Sequence, residues 1–279
     1  VLDAAWSLGI RYFDAARSYG LAEQFLASWL RRNSISPNSM TVGSKWGYTY
    51  TADWQVNASV HEVKDHSLPV LQRQIKESRE LLGDYLRLYQ IHSATLESGV
   101  LDDPELLSEL VRLRDGGLAI GLSLSGPNQS ATLYKALEIE FGGSLLFSSV
   151  QATWNLLETS AGSALLAAKE AGLGIMIKEA LANGRLTSRN EDSQFEEKRL
   201  ILAQVASEQE TTMDAISLAF VLAQSWVDIV LSGATTVDQL TSNLGALTLT
   251  FDERDMTKLS RLVEEPDIYW KTRSRLAWN

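Results

Sequence analysis

Seven short apolar runs, separated by segments of helical period, constrain this chain more than any other feature. The runs cover residues 11–15, 40–45, 86–92, 119–124, 145–151, 174–178 and 228–232. The helical segments between them fall at about 21–32, 68–83, 104–115, 128–139, 161–172, 212–224 and 236–247. In the second of these, Leu68, Leu71, Ile75 and Leu82 recur at helical spacing. Runs as continuously apolar as Gly174-Ile-Met-Ile and Asp228-Ile-Val-Leu suit parallel strands, whose crossover helices cover the sheet. The class is therefore α/β.

Polar residues decide between an open sheet and a closed one. Asp14, Lys45, His92, Gln151 and Lys178 each end one of the runs. In a TIM-type (β/α)8 barrel all strand ends converge on one face, so such residues become neighbours, whereas an open sheet spreads them along a crevice. Neither a Gly-x-Gly-x-x-Gly nor a phosphate-loop motif follows any run, which argues against doubly wound nucleotide-binding folds. The reading is one barrel domain over 1–279. The polar segment 188–198 is expected to be a mobile surface loop near the barrel mouth.

Composition narrows the function classes. With 45% hydrophobic and 22% charged residues, the chain is an ordinary globular sequence, not a disordered or fibrous one. Its 25 Lys plus Arg against 35 Asp plus Glu give a net charge of −10, which opposes nonspecific binding to nucleic acid. Zero cysteines exclude disulfides, thiolate metal sites and cysteine nucleophiles, and no metal constellation stands out. No run approaches the ~20 apolar residues that span a bilayer, and the first residues lack a signal-peptide pattern. A cytoplasmic protein with no membrane partner, monomeric or weakly homo-oligomeric, is the expectation. Residues 1–9 read as a helix that stops at Gly9.

Asp14, Tyr19, Lys45 and His92 form a plausible acid/base cluster drawn from three strand ends. A phenol of ordinary pKa near ~10 is a poor proton shuttle at neutral pH, but a neighbouring ammonium favours the phenolate. Lys45 supplies that charge in this reading, Asp14 holds it, and His92 orients a bound oxygen. The alternative is an interior Asp14–Lys45 ion pair beside a core histidine.

The segment Gly9-Ile-Arg-Tyr-Phe-Asp14-Ala-Ala-Arg-Ser-Tyr19-Gly20 resembles the aldo-keto reductase signature, and Ser44-Lys45-Trp46-Gly47 and Tyr89-Gln90-Ile91-His92 match its lysine and histidine segments in order. The likeness continues through Gly121-Leu-Ser123, residues 149–155, residues 181–186 and residues 232–243, covering nearly the whole chain. The resemblance implies a nicotinamide-dependent oxidoreductase, with NADP(H) ahead of NAD(H), acting on aldehydes, ketones or aldoses. It implies Tyr19 as general acid/base, Lys45 and Asp14 tuning it, and His92 orienting the carbonyl. It implies cofactor contacts from Ser123, Gln151, Lys178, Leu181, Ser232, Gly233, Thr235, Gln239 and Asn243, and a substrate contact from Trp46. The family's first barrel strand is expected just before the helix that ends at Gly9.

Three departures are visible. Leu124 stands where the family usually has asparagine, Lys178 where many members have an aromatic residue, and Leu231 to Leu247 contain no Lys or Arg to meet a 2′-phosphate. Two rival functions follow: a Schiff-base lyase with Lys178 as nucleophile, and a non-catalytic redox-sensing subunit that binds the cofactor. Tyr48, Trp54, Trp154, Tyr269, Trp270 and Trp278 are further candidates to wall a substrate pocket, while His61 and His66 read as solvated.

Overall fold

The computed structural model describes residues 1–55 and 58–276. They fall into two compact units, one from residue 2 to 150 and the other from residue 151 onward.

The first unit opens with helix α1 (Leu2–Ser7) and strand β1 (Tyr12–Asp14), followed by α2 (Ala22–Arg32) and β2 (Thr41–Trp46). A hairpin of β3 (Tyr48–Tyr50) and β4 (Glu62–Lys64) comes next, then α3 (Leu68–Leu82), β5 (Leu86–Ala94), α4 (Pro104–Asp115), β6 (Ala119–Leu124) and α5 (Gln129–Leu137). Strands β1, β2, β5 and β6 pair in that order, all parallel, with Asp14 opposite Gly43 and Lys45 opposite Gln90. Their side chains are buried almost without alternation, as parallel strands require when helices cover the sheet; Val42 to Trp46 is buried throughout, the charged Lys45 included.

Local chemistry fixes the helices. Asp103 caps α4 by accepting from the Glu105 and Leu106 backbone N–H groups at 3.0 and 3.1 Å, Pro104 occupies the first turn, and Leu106, Leu110 and Leu113 form one buried stripe.

The run expected at 145–151 divides differently. Residues Glu140–Phe141 (β7) and Ser144–Leu145 (β8) form a small antiparallel pair, and the barrel-type strand is β9 (Ser149–Thr153). Leu146 and Phe147 are buried without being in a strand, so apolar content alone misplaced the start.

The second unit contains α6 (Gly162–Glu170), β10 (Gly174–Lys178), α7 (Glu196–Glu208), α8 (Met213–Leu222), β11 (Ile229–Val230), α9 (Val237–Leu244), α10 (Glu253–Ser260) and α11 (Pro266–Arg273). Strands β10 and β11 are parallel, with Met176 opposite Ile229. The expected loop at 188–198 is shorter than its polarity suggested. Asp192 caps a 3-10 turn over Ser193–Phe195, and α7 begins at Glu196, so Lys198 is helical and donates to the Leu262 carbonyl at 2.9 Å and to Glu264 at 2.8 Å. Among the described residues no helix is long and apolar enough to cross a membrane.

Candidate active site

Asp14 is the last residue of β1, and its neighbour strand β2 supplies Lys45. The Lys45 side chain is 0% exposed and that of Asp14 12%. Lys45 Nζ donates to Asp14 Oδ2 and, at 3.0 Å, to the Ala15 carbonyl. An unpaired ammonium at such a position is prohibitively costly. Burial pulls the Lys45 pKa down, but Asp14 and the Tyr19 phenol more than offset it and hold it above the ordinary lysine value.

The chain beyond β1 stays laced to β2. Ala15 N–H donates to the Gly43 carbonyl at 2.8 Å and Arg17 N–H to the Lys45 carbonyl at 3.0 Å. A turn then closes through Tyr19 N–H and the Ala16 carbonyl at 3.1 Å, with Gly20 at φ +57°. This lacing delivers Tyr19 to Lys45, whose Nζ lies 5.1 Å from the phenol ring centre. Tyr19 is 46% exposed, so a buried cation sits behind a phenol that solvent and ligands can reach.

His92, on β5, completes the cluster. Its ring meets Tyr19 edge-on at 5.5 Å, packs against Tyr48 at 4.8 Å, and lies 3.5 Å from Ser18 Oγ through Nδ1. The next residue, Ser93, has a positive φ of 52°, and its N–H donates to Ser123 Oγ at 2.9 Å. The first unit thus brings Asp14, Lys45, His92 and Ser123 onto adjoining strands, with Tyr19 on the turn that follows β1. Trp46 follows Lys45 but is fully buried, its indole N–H without a hydrogen-bond partner and its ring edge-on to His66 at 5.6 Å. Trp54 is 62% exposed and covers Gly20, where a Cβ would fall 2.6 Å from the indole.

In the second unit, Ser232 bonds to Asn243 and Thr235 to Gln239 where the chain passes from β11 into α9. Asn243 Nδ2 donates to Ser232 Oγ at 2.8 Å, Gln239 Oε1 accepts from Thr235 N–H at 2.9 Å, and Thr236 Oγ1 caps the helix by accepting from Gln239 N–H at 3.2 Å. Gly233 takes φ +64°, and the segment offers backbone N–H donors at a helix N-terminus, a donor set suited to a phosphate.

Lys178 ends β10. It contacts Thr153 Oγ1 at 3.1 Å and Glu179 Oε1 at 3.5 Å, and Glu179 also accepts from Arg273 at 2.8 Å. Burial raises the Glu179 pKa, but Lys178 and Arg273 overcome it and hold the carboxylate below its ordinary range. A charged pair of this kind is the opposite of the uncompensated amine that a Schiff-base nucleophile needs. The chain then turns sharply, with Glu179, Ala182 and Asn183 all at positive φ and Leu181 half-buried between them. Gln151, on β9, is buried.

The sequence matches the model of the aldo/keto reductase family over residues 1–264. The chain belongs to that family. An aldo-keto reductase of Strobilurus tenacellus is 25% identical across 96% of this chain and 81% of its own length. An uncharacterized oxidoreductase of Bacillus subtilis is 26% identical across 98% and 90%, and a D-threo-aldose 1-dehydrogenase of a Pseudomonas species is 24% identical across 87% and 80%. Among solved structures, the holo form of an aldo-keto reductase from Bacillus halodurans superposes with a TM-score of 0.76 at 22% identity, covering 96% of this chain and 88% of that one. The fold is that of the aldo/keto reductases, the (β/α)8 barrel that the strand ends suggested, and the family is one of oxidoreductases that bind a nicotinamide cofactor and act on small carbonyl compounds.

Several residues around this candidate site were not found in the sequence. His66, expected to be solvated, is half-buried after the β3–β4 hairpin: its Nε2 lies 2.8 Å from the His92 carbonyl, and its ring packs on Trp46 and Tyr48. Gly47 makes room for it, since a Cβ there would fall 2.2 Å from His66 Cδ2. A glycine directly after Lys45-Trp46 was the one available signal. Glu23 in α2 is buried and accepts from Ser44 at 2.5 Å, from Ser78 at 2.7 Å and from Arg17, tying α2 and α3 to β2 beneath Lys45. Trp154, Tyr269 and Trp270 are buried: Trp154 stacks on Phe220 at 5.2 Å, and Tyr269 accepts from Asn155. Trp278 lies outside the described residues.

Burial pushes His66 down to about 4, with its bond to the His92 carbonyl and the nearby Asp65 pulling the other way and Lys64 adding to the fall. Between the ordinary histidine value and that one, the unfolded chain takes up a proton that the folded chain refuses. Stability therefore falls as pH drops through 6.5 toward 4, by about 3 kcal/mol once both states are protonated. Chemical denaturation at pH 7 and pH 4.5 should show His66→Gln losing less of its stability than the parent; equal losses would remove His66 as the cause.

Proposed function

We propose that the chain is a nicotinamide-dependent reductase or dehydrogenase that interconverts an aldehyde, ketone or aldose with its alcohol, and that Tyr19 is its general acid/base. The observation that carries this reading is the fully buried Lys45 ammonium held between Asp14 and the exposed Tyr19, with the His92 ring edge-on to the same phenol.

In the reducing direction Tyr19 Oη donates its proton to the oxygen of the substrate carbonyl. The phenolate left behind is stabilised by the adjacent Lys45 charge, which Asp14 keeps in place. His92 is positioned beside Tyr19 to orient and polarise the same oxygen, and its ring is fixed by Tyr48, Ser18 and the His66 contact to its backbone. In the oxidising direction the same groups act in reverse.

The bound nicotinamide supplies or accepts the hydride. The donor set fits it. Within the second unit we assign to it Ser232, Gly233, Thr235, Gln239 and Asn243, with Gln151, Lys178 and Leu181 as further candidates; Ser123, taken by itself in the first unit, is a candidate by the family resemblance alone. With Leu124 in place of asparagine, Ser123 is flanked in sequence by two leucines, and the family's second polar group at this point is missing. Trp46, being enclosed, would act on the substrate only through the residues around it. The D-threo-aldose 1-dehydrogenase relative makes aldoses a natural part of the substrate range.

The test is turnover. Purified protein should change nucleotide absorbance with at least one member of a panel of small aldehydes, ketones and aldoses, supplied with reduced or oxidised nucleotide as required. Nucleotide binding with no turnover across the panel would favour the redox-sensing alternative.

A further inference from the structure

Behind the cluster lies a second phenol that the proposed acid/base chemistry does not use. Tyr12 begins β1, two residues before Asp14 and so on the same face of the strand. Its hydroxyl donates to Asp14 Oδ1 at 3.1 Å, while the other oxygen of that carboxylate, Oδ2, receives Lys45. The space it occupies is created by sequence: at Gly43, opposite Asp14 in the register, a Cβ would stand 2.2 Å from the Tyr12 oxygen. Any other residue at 43 would push the phenol off the carboxylate. Burial and the Asp14 charge hold the Tyr12 pKa far above its ordinary value, so this phenol remains a hydrogen-bond donor throughout the working pH range.

We propose that Tyr12 is a positioning residue for catalysis, which fixes Asp14 and withdraws part of its negative charge so that the Lys45 ammonium is spent on Tyr19. A carboxylate with two free oxygens swings and neutralises Lys45 more completely. One that accepts a hydrogen bond on its far oxygen is held in one rotamer and is a weaker counter-charge. The groups that bear on this chain are Lys45 from β2, Tyr19 from the turn after β1 and the neutral Gln90 from β5. The order Tyr12, Asp14, Lys45, Tyr19 then runs from β1 through the enclosed Lys45 of β2 to the exposed turn, and the proton moves only at its last member.

This inference rests on Tyr19 being the acid/base, and its test separates the two claims. The full chain, labelled with 13Cζ-tyrosine and free of cofactor, is titrated by NMR, with Tyr19→Phe used to assign the Tyr19 signal. In Tyr12→Phe, which removes one oxygen and keeps the ring packing, the Tyr19 midpoint should move up by about half a pH unit or more. Gly43→Ala, which displaces the hydroxyl without deleting it, should move it the same way. The apparent pKa of kcat for the best carbonyl substrate should follow, with KM within about twofold of the parent. A midpoint that is unchanged or lowered in Tyr12→Phe would overturn the role given to Tyr12. Undiminished turnover by Tyr19→Phe would overturn the acid/base assignment, and the Tyr12 role with it.

Discussion

Replacing Tyr19 by Phe is expected to lower kcat for carbonyl reduction by about 10²–10⁴-fold, the range that a lost general acid costs. The substitution removes one oxygen from a half-exposed ring and leaves Lys45, Asp14 and His92 in place, so the loss is chemical and not structural. None of the second unit's residues assigned to the cofactor is touched, so the nucleotide dissociation constant should stay within about twofold. Steady-state rates and a parallel fluorescence titration check both halves. Turnover within a few-fold of the parent would mean that another group delivers the proton.

Asp14→Ala should have the largest effect on stability, a loss of about 3–5 kcal/mol, the cost of breaking a buried pair and leaving one charge behind. Lys45 is fully enclosed and, among the described residues, would keep the Ala15 carbonyl and Tyr19 as polar contacts. Lys45→Met should cost less, because Asp14 is 12% exposed and keeps the Tyr12 hydroxyl. Denaturant unfolding of the two variants beside the parent measures the difference. Equal losses would show that the burden is not the stranded ammonium.

Much of this was legible because parallel strands write themselves as continuous apolar runs, so a charged residue within one stands out. Asp14, Lys45 and Lys178 were found that way, although β2 runs one residue past Lys45 and β5 two past His92. Helix α4 was found to the residue because its cap, proline and leucine stripe agree. The failures share a cause, which is that burial is set by tertiary partners that sequence spacing does not report. Leu146 and Phe147 pack in the core from irregular backbone and so mimicked a strand. Glu196, Glu197 and Lys198 look like a solvated loop, although Lys198 is anchored to Glu264 and the helix buries Leu202 and Val205 one turn later. His66 and Glu23 lie on elements whose polar sequence gives no hint of the face turned inward, and only the matching Gly47 and Ser44 betray them.

The most direct measurement is an equilibrium titration of the purified chain with NADPH and with NADH, followed by nucleotide fluorescence. The account predicts saturable binding of both. Because residues 231–247 carry no Lys or Arg for a 2′-phosphate, it also predicts dissociation constants within about tenfold of each other, or about 1.4 kcal/mol. Absence of binding by either nucleotide up to about 1 mM would contradict the assignment of a cofactor site to Ser232, Gly233, Thr235, Gln239 and Asn243, and with it the oxidoreductase function proposed for this chain.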